Sequence, residues 1–472
     1  MRALLWFKQD LRLDDHPAVQ AALSAEQLLP VFILDPAHLE PNAFGCRPLG
    51  VHRARFLLES LAALDSALRQ RGSNLLVVPG TPEGVIPESV ERFNLQCVLT
   101  LAEIAPQERA QLGRVRQRLG GVPLQESLGN GLFRAEELPC AVEQLPPVFS
   151  QFCDLIEERL HVFQPRPAPE QLPPLPDGAH AVLSSLPTLS QMGLGEPLSV
   201  PASAFPFAGG EAAAQGRLRD YLWRSQGVRQ YKETRNGMIG SEYSSKLSPW
   251  LANGSLSARR AVAELRRYEA QYGRNDSTHR LWREMLWRDF FRWTLVRHGS
   301  ALFQAGGLKA TERAPRHVDE RFERWCQGRT GMPLVDASMR ELAATGFMSN
   351  RGRQVVASYL ISDLQQDWRH GAAWFAEHLI DFDPASNWGN WAYLAGLASN
   401  PRRNPLFNAL RQAREYDPEA AYVSLWLPEL RQLPQHLRHT PFLLPRLQLD
   451  ALNYPHLEQI PETWRPYLPE AA

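Results

Sequence analysis

The sequence predicts an α/β N-terminal domain built on a doubly wound parallel sheet, then a long connector, then an all-α domain. Three observations predict it. Residues 1–133 alternate short, nearly all-apolar runs of strand length with amphipathic stretches; residues 134–210 are dense in proline; residues 211–472 repeat apolar side chains at the helical period. A chain of 472 residues is also too long for one compact core.

Taken in order, Ala3–Phe7, Leu29–Leu34, Leu75–Val78 and Val98–Leu101 are apolar runs bounded by polar turns. Strands covered on both faces read this way, with helices such as 51–71 crossing between them. The turn after the first strand, Lys8 to Asp15, contains no glycine. A dinucleotide site needs glycines there for the backbone to approach a pyrophosphate, which excludes a standard NAD domain. Pro146, Pro147, Pro165, Pro167, Pro169, Pro173, Pro174 and Pro176 then prevent long helices and predict an extended connector over the surface. Beyond it, Arg217–Trp223, Ala258–Tyr268, Thr278–Val296, Leu334–Ala344, Gln354–Leu364 and Ala372–Leu379 carry 3.6-residue periodicity. The leucine- and proline-rich tail past 430 reads as irregular packing.

Lysine plus arginine and aspartate plus glutamate both number 51, so no global charge announces nucleic acid or a membrane. Locally, residues 251–300 hold ten arginines against five acids, with Arg259, Arg260, Arg266 and Arg267 at helical spacing. Such a run is a solvated helix face or a footprint for phosphates. Five scattered cysteines without a Cys-x-x-Cys pair fit thiols in a reducing compartment and argue against a disulfide frame or a zinc site. The apolar run at the start is too short for a signal peptide, so none is expected, and no run approaches the roughly 18 apolar residues of a membrane span. The expectation is a cytoplasmic monomer with no bound metal. Of 13 tryptophans only Trp6 precedes position 220, a supply of indoles suited to core packing or to redox chemistry.

Four segments of the second half carry chemistry. Tyr231–Trp250 leads into a helix with Ser248 placed to cap it, Pro249 at its first position, and Ser244 and Ser245 beside its N-terminus. That is an ordinary capped turn or a phosphate cradle. Glu284, Trp287 and Arg288 share a helix face and suit either a planar polar ligand or an internal salt bridge. Asn350 and Arg353 lie one turn apart, and a buried Arg353 wants a carboxylate. Asp381 and Asp383 form an Asp-x-Asp pair that could hold a divalent metal. Further carboxylates are absent nearby, so Asp381 is better used as the partner of Arg353.

In order and spacing these segments resemble the FAD-binding half of photolyases and cryptochromes, and Trp6–Arg12 resembles that family's N-terminal strand and turn. Tyr231–Arg259, Thr330–Arg340 and Trp426–Leu430 are most similar to the DASH-type cryptochromes. The resemblance implies FAD held by Tyr231, Ser244, Ser245, Leu247 and Ser248 at its phosphates and ribityl chain. It also implies Asn350, Arg353, Asp381 and Asp383 along the rings, with Asn387 facing flavin N5. The implied activity is blue-light-driven repair of cyclobutane pyrimidine dimers in UV-damaged DNA, mainly single-stranded. Glu284, Trp287 and Asn350 match dimer contacts. Tyr393 stands where many photolyases carry a second tryptophan, and Arg402 and Arg403 are expected at phosphates. Photoreduction would run through Trp391 and Trp368. The distal tryptophan is missing from Ala314–Val318, so the surface end of the chain is either absent or rerouted through Trp325 or Trp374, and slow or alternative photoreduction is expected. An antenna, commonly methenyltetrahydrofolate in DASH members, would touch Glu103, which reads equally as an exposed helix-start acid. The competing class is a blue-light photoreceptor that binds DNA or a protein without repair.

Overall fold

The computed structural model describes residues 1–158, 163–197, 200, 202–309, 318–398 and 407–468. Its sheet comprises β1 (Arg2–Phe7), β2 (Gln27–Leu34), β3 (Leu76–Pro79), β4 (Cys97–Leu101) and β5 (Leu124–Ser127), all parallel in the order β3-β2-β1-β4-β5. The helices α1 (Pro17–Ala22), α2 (Val51–Arg69), α3 (Pro82–Arg92) and α4 (Pro106–Arg118) connect them. Alternate residues of β1 explain why its run is apolar throughout. Ala3, Leu5 and Phe7 enter a core with Leu28, Leu61 and Leu99, while Leu4 and Trp6 enter a second with Leu29, Ile86 and Val115. The edge strand β5, Leu124-Gln-Glu-Ser127, is largely exposed and polar, which is why it carries no apolar signal.

The proline-rich stretch departs from a purely extended connector. Phe149–Glu157 folds as a nine-residue helix, α5, whose Phe149, Phe152, Cys153 and Ile156 are buried. The helical part begins with α6 (Glu211–Arg219), which runs on into a π-turn at Asp220–Arg224. It continues with α7 (Tyr231–Thr234), α8 (Ser248–Ala252), α9 (Ala258–Tyr272), α10 (Asp276–His298), α11 (Glu320–Cys326) and α12 (Pro333–Thr345). Then follow α13 (Asn350–Ser358), extended by a π-turn at Tyr359–Asp363, α14 (Trp368–His378), α15 (Pro384–Leu394), α16 (Ala409–Tyr416) and α17 (Ala421–Trp426). The tail contributes one short helix, α18 (Arg446–Ala451), and returns Trp464 to the core, where it is 1% exposed. No helix among the described residues is long and apolar enough to cross a membrane.

The seam between the sheet and the helical part is polar. Arg12, 2% exposed, donates to the carbonyls of Asp14, Asp15 and Gly254 and to Asn130 Oδ1. Arg260 binds Asp14 through two hydrogen bonds of 2.8 and 2.7 Å, and Ser257 donates to Asp15. Here the arginine run finds its use: Arg259 pairs with Glu137, Arg260 with Asp14, Arg266 with Glu269 and Arg267 with Glu264. Each cation of the run thus has a carboxylate partner, with Arg267 the most exposed of the four at 73%.

Candidate active site

Four segments converge between α8, α10, α13 and α15. The first is organised by Arg217, a charged residue on the buried face of α6. Its guanidinium donates to the carbonyls of Ser241, Ser244 and Ser245 and to Glu242, with its own side chain 5% exposed. With the carbonyls turned inward, the N–H groups of Ser244, Ser245, Lys246, Leu247 and Ser248 find no acceptor among the described residues. Ser248 is not the cap that the sequence suggests. Leu247 holds the N-cap position, and the Ser248 hydroxyl instead donates to Asp381 at 2.7 Å. Since α8 has only five residues, its dipole contributes little, and the row of free N–H groups is the feature that favours an anion. Behind the row, Lys246 is 2% exposed, adopts φ +61° and lies 3.2 Å over the Tyr243 ring. Burial pushes its amine down to about 6. Burial lifts Glu341 to about 7 although Tyr422 donates to it, and burial raises the phenol of Tyr231, 8% exposed at the start of α7.

Arg353 and Asp381 form a two-point ion pair, with Nη1–Oδ1 at 3.0 Å and Nη2–Oδ2 at 2.9 Å. Arg353 also donates through Nε to the Met348 carbonyl, so the α13 cation is fully engaged. Asp383 caps α15 by accepting from the Ser386 N–H at 2.7 Å. Asn387, 8% exposed, donates its amide to the Ala372 carbonyl at 2.9 Å. That bond fixes the amide plane and leaves Oδ1 as a free acceptor. Asn350 stands exposed as the first residue of α13, which Ser349 caps.

On α10 the expected trio separates. Glu284 is held by Arg235 at 2.8 Å and Arg280 at 2.9 Å. Trp287 meets Tyr393 edge to face, with centroids 6.2 Å apart at 75°. Arg288 leaves this face, donating to the carbonyls of Asn130 and Leu251 at the seam, where burial lowers it to about 10. Sequence reasoning missed Arg235, Arg217 and Phe149. Phe149 reaches from α5 to stack on Trp287 with centroids 3.6 Å apart at 15°, and Arg283 lies over its ring. A cavity of about 440 Å³ opens beside this stack between residues 142–152 and α10. For Arg217 the signal was present, since it is a charge on an apolar helical face. Arg235 and Phe149 meet their partners only in three dimensions.

Among the indoles, Trp391 is 2% exposed and meets Trp325 edge to face at 6.3 Å. Trp325 is itself fully buried and donates to the Val356 carbonyl. Among the described residues Trp374 stacks on His378 and makes no ring contact with another indole, so no indole contact supports a detour through it. Trp368 instead meets Trp388 at 5.7 Å. Glu103 precedes α4 rather than starting it, and pairs with Lys8 at 3.1 Å. Arg402 and Arg403 lie outside the described residues, as do Ala314–His317.

Two family models match the chain: DNA photolyase over residues 3–173 and the FAD binding domain of DNA photolyase over 281–462. Cryptochrome DASH of Gloeobacter violaceus is 44% identical, the alignment covering 93% of this chain and 88% of the relative. The crystal structure of a Synechocystis cryptochrome superposes with a TM-score of 0.92 at 39% identity, covering 99% of both chains. An archaeal photolyase from Sulfolobus tokodaii, solved with two FAD molecules, superposes with a TM-score of 0.76 at 26% identity over 99% of this chain and 97% of that one.

Proposed function

The chain belongs to the photolyase/cryptochrome family, with DASH cryptochromes among its relatives, and from that premise we propose that it repairs cyclobutane pyrimidine dimers, chiefly in single-stranded DNA, using FAD and blue light. The helical part carries the FAD-binding domain, and its donor set fits the cofactor. A diphosphate asks for a row of unengaged N–H groups, which Ser244 to Ser248 provide. A flavin ring edge bearing N–H asks for a fixed acceptor, which Asn387 Oδ1 provides. Gln354, beside Arg353, has a buried side-chain oxygen with no protein donor. Held by these residues, reduced FAD would supply light-driven, reversible one-electron chemistry that leaves no net oxidation.

The chain's own residues bind and orient the lesion. The observation that carries the proposal is the Trp287–Tyr393 edge contact beside a clamped Glu284. The two rings supply an apolar wall for a splayed-out dimer. Glu284, unable to swing between its two arginines, offers a carboxylate to the imide N–H of a thymine, and Asn350 at the mouth offers an amide to its carbonyls. Extruding a base pair's lesion costs a few kcal/mol, least for a damaged or already single-stranded base. A tyrosine at 393 gives less stacking area than a tryptophan and offsets less of that cost, which favours single strands. Supplying equal amounts of dimer in single strands and in duplex under blue light tests this. Faster loss of dimer from the single strands is expected, and equal rates in both would defeat the strand preference.

A further inference from the structure

The acids of the candidate flavin site sit on a turn gripped from outside the helical part. This turn, Leu379–Asp383, joins α14 to α15 and carries Asp381 and Asp383. Arg53, on the first helical turn of α2 in the sheet-bearing part, donates through Nη1 to the Ala376 carbonyl at 2.7 Å and to the Leu379 carbonyl at 3.3 Å. Both carbonyls belong to the unsatisfied C-terminal end of α14, where a cation also meets the negative end of the helix dipole. The same guanidinium lies 4.7 Å over the ring of Phe382, the residue between the two acids. Burial lowers Arg53 only to about 10, with Asp381 and Glu377 favouring its charge, so it remains protonated at neutral pH.

Neighbouring contacts leave little slack. The Gly50 N–H donates to the Glu377 carbonyl, and a Cβ at Gly50 would lie 2.3 Å from that oxygen. Arg47 N–H donates to the Glu377 carboxylate, and His52 Nε2 is 2.9 Å from the Ala343 carbonyl. Ile380 N–H donates to the Gly346 carbonyl, tying the turn to the end of α12. The α2 N-terminus is thus seated against the α14 end, with Arg53 the side chain that reaches the turn.

We propose that Arg53 is a positioning residue for FAD: it holds the Leu379–Asp383 turn so that Asp381 stays locked to Arg353 and Ser248, and Asp383 to the start of α15. The sheet-bearing part is then a structural component of the flavin site, whether or not it also carries an antenna. The inference rests on FAD occupying the site, and on nothing about repair.

Its test is the dissociation constant of added FAD for the full-length apoprotein, read from quenching of flavin fluorescence at equal folded fraction. Arg53→Met keeps the apolar stem over Phe382 and removes the hydrogen bonds. It is expected to weaken FAD binding by about tenfold or more, the usual scale for losing a support to a ligating residue. Arg53→Lys, which restores a cation and one donor, is expected to recover part of the loss. Arg260→Met breaks the Asp14 pair elsewhere on the seam and is expected to leave FAD affinity within about twofold, so mere loosening of the seam is separated from loss of the grip. Unchanged affinity in Arg53→Met, or an equal loss in Arg260→Met, would overturn the proposal. Failure of the wild-type protein to bind FAD would overturn the cofactor assignment instead.

Discussion

At the scale of single residues, the site depends on a few fully committed charges. Asp381 is only 3% exposed in its side chain and accepts from Arg353 twice and from Ser248. Asp381→Asn keeps the shape but strands the guanidinium, and is expected to cost on the order of 3 kcal/mol in a urea titration. Lys246 behaves differently, since burial depresses its amine from 10.5 to about 6. Between those two values the unfolded chain holds a proton that the folded chain lacks, so this group's contribution to stability is present above the unfolded value and lost as pH falls toward 6. Lys246→Met should flatten the rise of the urea midpoint across pH 6.5 to 10 and be most stabilising, relative to wild type, near the acid end. A rise of the same slope in the variant would assign it to other groups.

At the scale of elements, close helix contact through glycine sets where the aromatic side chains lie. A Cβ at Gly371 on α14 would sit 2.3 Å from the Trp391 ring, and one at Gly389 on α15 would sit 2.3 Å from the Phe291 ring. Gly371→Ala is expected to cost about 1–3 kcal/mol by overpacking and to alter the near-UV circular dichroism of the displaced indole. An unaltered spectrum would mean that α14 yields instead. The strands legible in the sequence, such as Ala3–Phe7 and Val98–Leu101, are those buried on both faces, because burial imposes the apolar run. β5 was illegible because an exposed edge needs none. The long helices announced themselves by period, whereas α5 hid among prolines that only bracket it. The Arg353–Asp381 pair was legible because an arginine turned toward the interior demands a carboxylate. Arg280 lies one turn before Glu284 and is legible as its partner. The Arg235 contact and the direction of Arg288 depend on chain segments about 49 and 158 residues away in sequence, and no local pattern encodes those.

At the scale of the whole molecule, the formal net charge is zero and each arginine of the α9 run has a carboxylate partner. Binding to a damaged strand should therefore draw on ring contacts more than on phosphate contacts. Affinity for UV-damaged oligothymidylate measured between 50 and 200 mM salt is expected to fall shallowly, with a logarithmic slope of about −0.7 per phosphate contacted and few such contacts. A slope as steep as that of a basic DNA-binding protein would contradict this expectation.

The central claim is that the flavin site and the Trp287–Tyr393 wall together make a light-driven repair enzyme. Mixing the chemically reduced, FAD-loaded protein with UV-damaged oligothymidylate and following the thymine absorbance band, under blue light and in the dark, tests it most directly. Recovery of absorbance in the light alone is predicted. No recovery in the light from protein shown to hold reduced FAD would contradict it and leave a blue-light photoreceptor without repair chemistry.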